Sequence, residues 1–334
     1  MRIAIFDAGH WHFPLYLEAL GGPEVEVIGV SDSENFAGRE IAARLRCPLI
    51  ASNEALLREE FDFALVFSRH SVMPAIAGQL IEKGKPFLIE KPCGIARAEV
   101  ARLRERAARA GVFVAVPFIF RVSELVKRLA DAGLAGDGYQ HLAFRFIAGP
   151  IGRYERMGCS WMLDARFAGG GAAINLGVHF FDLIVALTGQ PITRVSAVTR
   201  RYRADVSVEE QAAFVVTTAA GQIGLVETGY LYPSDAQDQR DFSFSLSHSS
   251  VYIQGQGDHI AIKDHRHLTR TFSRIEYNTD RYYPVFLRRA LDDLSAGRPP
   301  VAGLLEAEQA LAVVEAGYRS AADGGGAQAI EVPA

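Results

Sequence analysis

Two stretches of this 334-residue chain carry side chains able to move a proton or steady a developing charge. The first is Glu90-Lys91-Pro92, which closes the apolar run 86–89 and so places a lysine at the end of a buried strand. Pro92 removes a backbone donor and restrains the residue before it, which helps fix the direction of the lysine. Such a lysine can hydrogen-bond a bound hydroxyl and favour its deprotonation electrostatically. A solvated lysine paired with Glu90 is the plainer alternative. The second stretch runs from the triplet Gly169-Gly170-Gly171 through Asn175 and His179 to Asp182. If residues 172–187 are helical, Asn175, His179 and Asp182 share one face. That face would present an imidazole as general base with its other nitrogen oriented by a neighbour. A core histidine holding one hydrogen bond is the alternative. Arg153, Tyr154, Arg156, Trp161 and Asp164 precede the triplet and suit stacking on and hydrogen-bonding to a polyhydroxylated ligand, or form an ordinary loop anchored by its tryptophan. Glu227, Tyr230 and Tyr232 fall on one strand, where they line a cavity or pack the sheet.

These groups need elements to hold them. Strand-like runs at 2–6, 25–30, 61–67, 86–89 and 112–116 alternate with helical patterns at 10–20, 37–45, 72–83 and 98–110. Strands apolar throughout and separated by helices predict a parallel sheet covered on both faces, and right-handed crossovers make it doubly wound. Ligands of such sheets sit beyond the carboxyl ends of the strands. The segments 6–7, 30–32, 67–70 and 89–92 all lie there.

A dinucleotide site asks for Gly-x-Gly-x-x-Gly after the first strand, for a tight turn and close backbone approach to the pyrophosphate. This chain reads Asp7-Ala8-Gly9-His10-Trp11-His12, with only the middle glycine in place. Asp32 follows about 25 residues beyond that loop, where a carboxylate accepts from an adenosine ribose and repels a 2′-phosphate. NAD is therefore expected over NADP, with Arg39 the residue that would admit NADP, and a helix-capping Asp32 remains the alternative.

After a helix predicted at 121–132 the pattern changes. Alternating strands at 141–147, 195–203, 212–218, 223–230, 241–247 and 249–254 predict an open sheet, followed by helices at 283–296 and 306–323. The chain reads as two domains, 1–120 for the dinucleotide and 121–334 for substrate binding and oligomerisation. With 49% apolar and 22% charged residues and a net charge of -4, it lacks the basic stripe of a nucleic-acid binder. Cys47, Cys93 and Cys159 fit neither a disulfide framework nor a metal knuckle, and no metal is expected. No segment reads as a signal peptide or as long enough to span a bilayer, so a cytoplasmic protein is expected.

In order and spacing these pieces resemble the glucose–fructose oxidoreductase / inositol dehydrogenase / rhizopine-catabolism family. The likeness covers essentially the whole chain. It rests on Asp32, Gly84-Lys85-Pro86, Glu90-Lys91-Pro92, Gly133 to Gly136, Gly169 to Asp182, and the closing stretch from Ala296 to Ala321. The resemblance implies a Rossmann domain followed by an α/β domain whose open, predominantly antiparallel sheet forms homo-oligomer contacts. It implies reversible hydride transfer between NAD, with NADP possible, and a secondary alcohol of a sugar, polyol or sugar derivative. The family's catalytic residues fall on Lys91 and His179, with Asn175, Asp182, Arg153, Tyr154, Trp161 and Asp164 expected around the substrate. Asp7, Gly9, His10, Trp11, His12, Asp32, Ser68, Arg69, His70, Glu90, Lys91 and Pro92 are expected around the cofactor. The chain departs from the family where its usual Thr-Pro-Asn reads Ser68-Arg69-His70, where a nearby histidine reads Met73, and where an aspartate of many members reads Asn175. Transient oxidation with glycoside cleavage, or nucleotide-dependent sensing without turnover, are the other activities the family admits.

Overall fold

Strand β1 (Arg2–Phe6) buries Ile3, Ala4, Ile5 and Phe6 completely, and β4 (Phe63–Val66) and β5 (Phe87–Ile89) are equally sealed. Strands without a polar face belong inside a parallel sheet with layers on both sides. With β2 (Glu26–Ser31), β3 (Leu49–Ile50) and β6 (Val114–Ala115), they form a six-stranded sheet ordered β3-β2-β1-β4-β5-β6, in which every pair is parallel. The order reverses direction between β1 and β4, which puts the ligand crevice at the carboxyl ends of those two strands. Helices Gly38–Leu45, Met73–Glu82 and Arg97–Ala110 make the crossovers. In the last, Val100, Leu103 and Ala107 are buried at helical spacing while its many charges face outward. Sequence pattern did not anticipate β3 or the helix Asn53–Leu56, both too short to show a period.

The computed structural model describes residues 1–34, 37–134, 136, 138–234 and 240–333. Ala135 of the Gly133–Gly136 motif lies outside the described residues. Contacts gather the chain into two units. The first comprises 1–117, 154–169 and 280–308; the second comprises 118–153, 170–279 and 309–334. The expected division at residue 120 thus separates the two sheets, while segments 154–169 and 280–308 pack with the first.

The second unit holds nine strands: β7 (Tyr139–Ile147), β8 (Ile192–Arg200), β9 (Gln211–Thr218), β10 (Ile223–Gly229), β11 (Asp241–His248), β12 (Val251–Gln256), β13 (His259–Asp264), β14 (Thr269–Arg274) and β15 (Gln328–Ala329). Their order is β14-β13-β12-β11-β7-β10-β9-β8-β15, antiparallel except where β10 runs beside β7. Alternation along β9 and β11 shows one face packed. Helix Val178–Thr188 covers it, with Phe180 against Phe144, Phe146 and Phe242 and Phe181 against Phe214. On the opposite face Val198, Val215, Ile223 and Leu225 remain 39 to 60% exposed.

One expectation needs correction. The helical segments within residues 165–188 are together long and apolar enough to cross a bilayer by length and composition, contrary to the reading that none reaches that length. With 89% of their apolar window buried inside the protein, they are placed as core elements.

Candidate active site

The loop after β1 departs from glycine at its first position, yet Asp7 adopts the left-handed conformation a glycine would have supplied, with φ 53°. Its carboxylate accepts from Ser33 N and Oγ, both at 2.9 Å, and from Asn53 Nδ2 at 3.3 Å. Those bonds hold a conformation that few residues other than glycine, aspartate and asparagine tolerate. The predicted helix 10–20 does not begin at His10. The loop continues to His12, and a 3-10 turn Phe13–Tyr16, started by Pro14, leads into the short helix Leu17–Leu20. Gly9 O accepts from Trp161 Nε1 at 3.3 Å and from Cys159 Sγ at 3.4 Å, which fixes the loop from outside.

The side chains of the loop do what a third glycine could not. His12 Nδ1 donates to Glu90 Oε2 at 3.0 Å, and His12 Nε2 meets the Tyr283 hydroxyl at 3.0 Å. Glu90 also accepts from the Tyr16 hydroxyl at 2.5 Å and from Lys91 N at 2.9 Å. The Tyr16 phenol is pushed well above its usual range by burial and by the Glu90 charge. His12, Tyr16, Glu90 and Lys91 are all nearly or fully buried, so this is a dry network joining the nucleotide loop to the strand end that carries the lysine. Tyr16 and Tyr283 were missed in the sequence because each reads there as an apolar position of a helix.

His10 faces the other way. Its Nδ1 accepts from His12 N at 3.2 Å, which leaves the proton on Nε2, and Nε2 lies 3.4 Å from His70 Nε2. His70 in turn donates from Nδ1 to Ala168 O at 2.9 Å. Burial lowers the pKa of His70 to about 3 and holds His10 well below its usual value, so both stay neutral. His10, His12 and Glu90 do offer three ligand-type atoms within 4.8 Å of one another. The hydrogen bonds already described engage each of the three, and a cation there would have to displace His12 from Glu90. We therefore read the cluster as a hydrogen-bond network.

A pH dependence follows. Unfolded imidazoles titrate near 6.5, so between about pH 6.5 and 3 the unfolded chain binds a proton that folded His70 refuses, and His10 acts in the same direction. The contribution of His70 to stability is complete above pH 6.5 and is lost as pH falls, by about 1.4 kcal/mol per unit. Denaturant melts at pH 7 and pH 5 should show this loss, and His70→Asn should reduce it. An identical pH slope in that variant would contradict a neutral His70.

The loop and its surroundings fit a dinucleotide. Among the described residues the N–H groups of Gly9 and His10 have no acceptor, as expected where backbone amides await phosphate oxygens. Asp32 stands at the end of β2, where Oδ2 accepts from Gly38 N at 2.6 Å. The capping alternative for Asp32 is therefore real, and it fixes the carboxylate beside the start of helix Gly38–Leu45. Ser68 is buried, and Arg69 extends over the Phe167 ring at 4.7 Å. Pro92 follows Lys91 through a cis peptide.

Family models decide the matter. The description "Oxidoreductase family, NAD-binding Rossmann fold" matches residues 2–118, and "GFO/IDH/MocA C-terminal domain" matches residues 125–251. The chain belongs to the glucose–fructose oxidoreductase / inositol dehydrogenase / rhizopine-catabolism family. It is thus an oxidoreductase that binds NAD on its parallel sheet. It is 29% identical to the rhizopine catabolism protein MocA of Rhizobium meliloti over 238 residues, 70% of this chain and 72% of that one. It is 27% identical to the UDP-N-acetylglucosamine 3-dehydrogenase of Acidithiobacillus ferrooxidans over 201 residues, 59% of this chain and 58% of that one. The solved structure of GenD2 from gentamicin A biosynthesis, in complex with NAD, superposes with a TM-score of 0.83 at 23% identity, covering 99% of this chain and 97% of its own. That likeness is one of fold.

In the second unit of this family member, Asn175 and His179 lie on a segment that begins as a π-helical turn (Ala173–Gly177) and continues as helix Val178–Thr188. Asn175 Nδ2 donates to the Tyr230 hydroxyl at 2.9 Å. His179 is 6% exposed, with the edges of Phe118 and Phe120 about its ring. Asp182, expected at the substrate, instead accepts from the Arg121 guanidinium on both oxygens at 2.8 to 3.1 Å. A buried carboxylate needs such a partner.

The loop residues expected around the substrate divide in the same way. Trp161 is buried on Gly9, Tyr154 is buried with its ring edge toward Trp11, and Asp164 caps the helix Ala165–Ala168 and pairs with Arg166. Arg153 lies over the Tyr230 ring at 5.6 Å. Three of these four therefore have structural work, which their composition alone did not reveal.

Proposed function

We propose that this chain reversibly oxidises a secondary alcohol of a sugar, polyol or sugar derivative, passing hydride to NAD. The observation that carries the reading is the buried Lys91 at the end of β5, tied through Glu90 and His12 to the nucleotide loop. NAD, when bound, supplies the hydride acceptor. Lys91 donates a hydrogen bond to the alcohol oxygen and stabilises the negative charge that develops there. His179 takes the hydroxyl proton. Asn175 orients the substrate and, having no titratable group, leaves the proton to His179. The name of the UDP-N-acetylglucosamine 3-dehydrogenase supports a sugar derivative as substrate.

The test is nicotinamide absorbance across a panel of sugars and polyols, run separately with NAD and NADP. Reduction of NAD that disappears in Lys91→Met supports the reading, and no reduction with any substrate counts against it.

We also propose a homo-oligomer formed through the open sheet face, supported by the row Val198, Val215, Ile223 and Leu225. Light scattering should find a dimer or tetramer, and a monomer at micromolar concentration would refute it. The three free thiols support a reducing, cytoplasmic setting.

A further inference from the structure

The loops that follow β2 and β4 are joined by an ion pair that hydride transfer does not use. Arg69, after β4, pairs with Glu34, after β2. Since β2 and β4 flank β1 in the sheet, the pair links the loops on either side of the one that carries Gly9. This is the carboxyl end of the sheet, where the adenosine half of a dinucleotide meets the second strand.

The charge around this end is lopsided. Asp7 is buried against Ser33 and Asn53, and Asp32 is fixed on Gly38 N. Glu34 adds a third carboxylate. Its pKa is held above the usual range by partial burial, Asp7 and Asp32 add to that, and Arg69 works against it. Arg69 is about one-quarter exposed, and its guanidinium rests on the Phe167 ring at 4.7 Å. Arg39, in the first turn of helix Gly38–Leu45, is exposed. A planar guanidinium is the natural partner of a phosphate, because its fork can donate two parallel hydrogen bonds. Arg69 would be that partner if its fork were not already turned to a carboxylate.

We propose that Glu34 makes the adenosine end of the site selective for NAD by holding the Arg69 guanidinium in an ion pair, which denies the 2′-phosphate of NADP a counter-ion. This rests on the dinucleotide reading of the loop and goes beyond Asp32, whose repulsion acts on the same phosphate from the strand end. Glu34 excludes in two ways: its own charge repels the phosphate, and it occupies the cation. Without Glu34, the Phe167 ring still supports Arg69, so the guanidinium is left in place with its donors turned outward.

Fluorescence titration of NADH and of NADPH measures this without any substrate. The proteins are the wild type, Glu34→Gln, and Glu34→Gln combined with Arg69→Ala. Glu34→Gln should tighten NADPH binding about tenfold or more while NADH stays within about threefold, the scale of a gained charge-assisted contact. The double variant should lose that gain, which separates Arg69 from Arg39 and from the simple removal of a negative charge. An unchanged ratio of NADH to NADPH affinity in Glu34→Gln overturns the proposal, as does a gain that survives Arg69→Ala. Retained NADH binding shows that Glu34→Gln is folded, and an unchanged circular dichroism spectrum and melting temperature show it for the double variant. Failure of the wild type to bind either nucleotide would remove the dinucleotide reading, and the proposal with it.

Discussion

Replacing Lys91 by methionine is expected to cut turnover by about a thousandfold or more while NADH binding stays within about threefold of wild type. The side chain is 1% exposed and among the largest fully buried ones, so a neutral chain of similar length fills the same space. The backbone N–H of residue 91 still reaches Glu90 Oε2, and Glu90 keeps Tyr16 and His12. What disappears is a charged donor aimed at an oxygen that becomes negative only as hydride leaves, and such a donor is worth most in a site without water. The loss should therefore fall on kcat more than on KM. Full activity would end the assignment. Loss of NADH binding together with turnover would show that Lys91 supports the loop, and its catalytic role would then be unsupported. His179→Ala offers a contrast, since a general base must be unprotonated to accept the hydroxyl proton and so shapes the acidic limb of the pH–rate profile for oxidation, which a charge-stabilising lysine does not.

How much of this was legible beforehand depends on the physics each residue obeys. The parallel sheet was legible because β1, β4 and β5 are apolar on both faces, and only a doubly covered sheet uses such strands. The place of Lys91 was legible because charged residues just after an apolar run mark the end of a buried strand. The network behind it was not. His12 and Glu90 are 78 residues apart and Tyr283 is farther still, and no local period announces a hydrogen bond of that range. Asp182 shows the same limit: helical spacing placed it near His179, but nothing local announced Arg121, which supplies the charge a buried carboxylate needs. The late strands β13 and β14 escaped because Asp258, His265 and Arg266 interrupt the apolar pattern, and β14 is almost wholly exposed at the sheet edge.

Gly171→Ala should destabilise the protein by about 3–5 kcal/mol, the range of a substitution that forces main chain apart. A Cβ there would stand 1.9 Å from Glu209 O and under 3 Å from Glu209 C and N, all backbone atoms that no rotamer change can move aside. The contact is that close because Glu209 closes the start of the segment bearing Asn175 and His179. Its carboxylate accepts from Gly171 N at 2.8 Å, from Ala173 N at 2.9 Å and from the Tyr318 hydroxyl at 3.0 Å, while its carbonyl accepts from Ala172 N at 3.1 Å. Burial raises the Glu209 pKa, and these donors oppose the rise. Gly170 is held as closely, since its Cβ would fall 1.9 Å from the Tyr318 hydroxyl. The glycines thus admit a buried carboxylate and a phenol to the helix start, a role their spacing suggested only as tight approach. Gly177→Ala is the control. Its Cβ would meet the Phe181 ring at 3.3 Å, a contact the ring can relieve by a small shift, and the helix gains about 0.5–1 kcal/mol from alanine. That variant should melt within about 1 kcal/mol of wild type. Denaturant titration of both variants compares two glycines six residues apart. Equal stability would mean that the chain at Gly171 can draw back from Glu209, and that Glu209 does not fix the helix carrying His179.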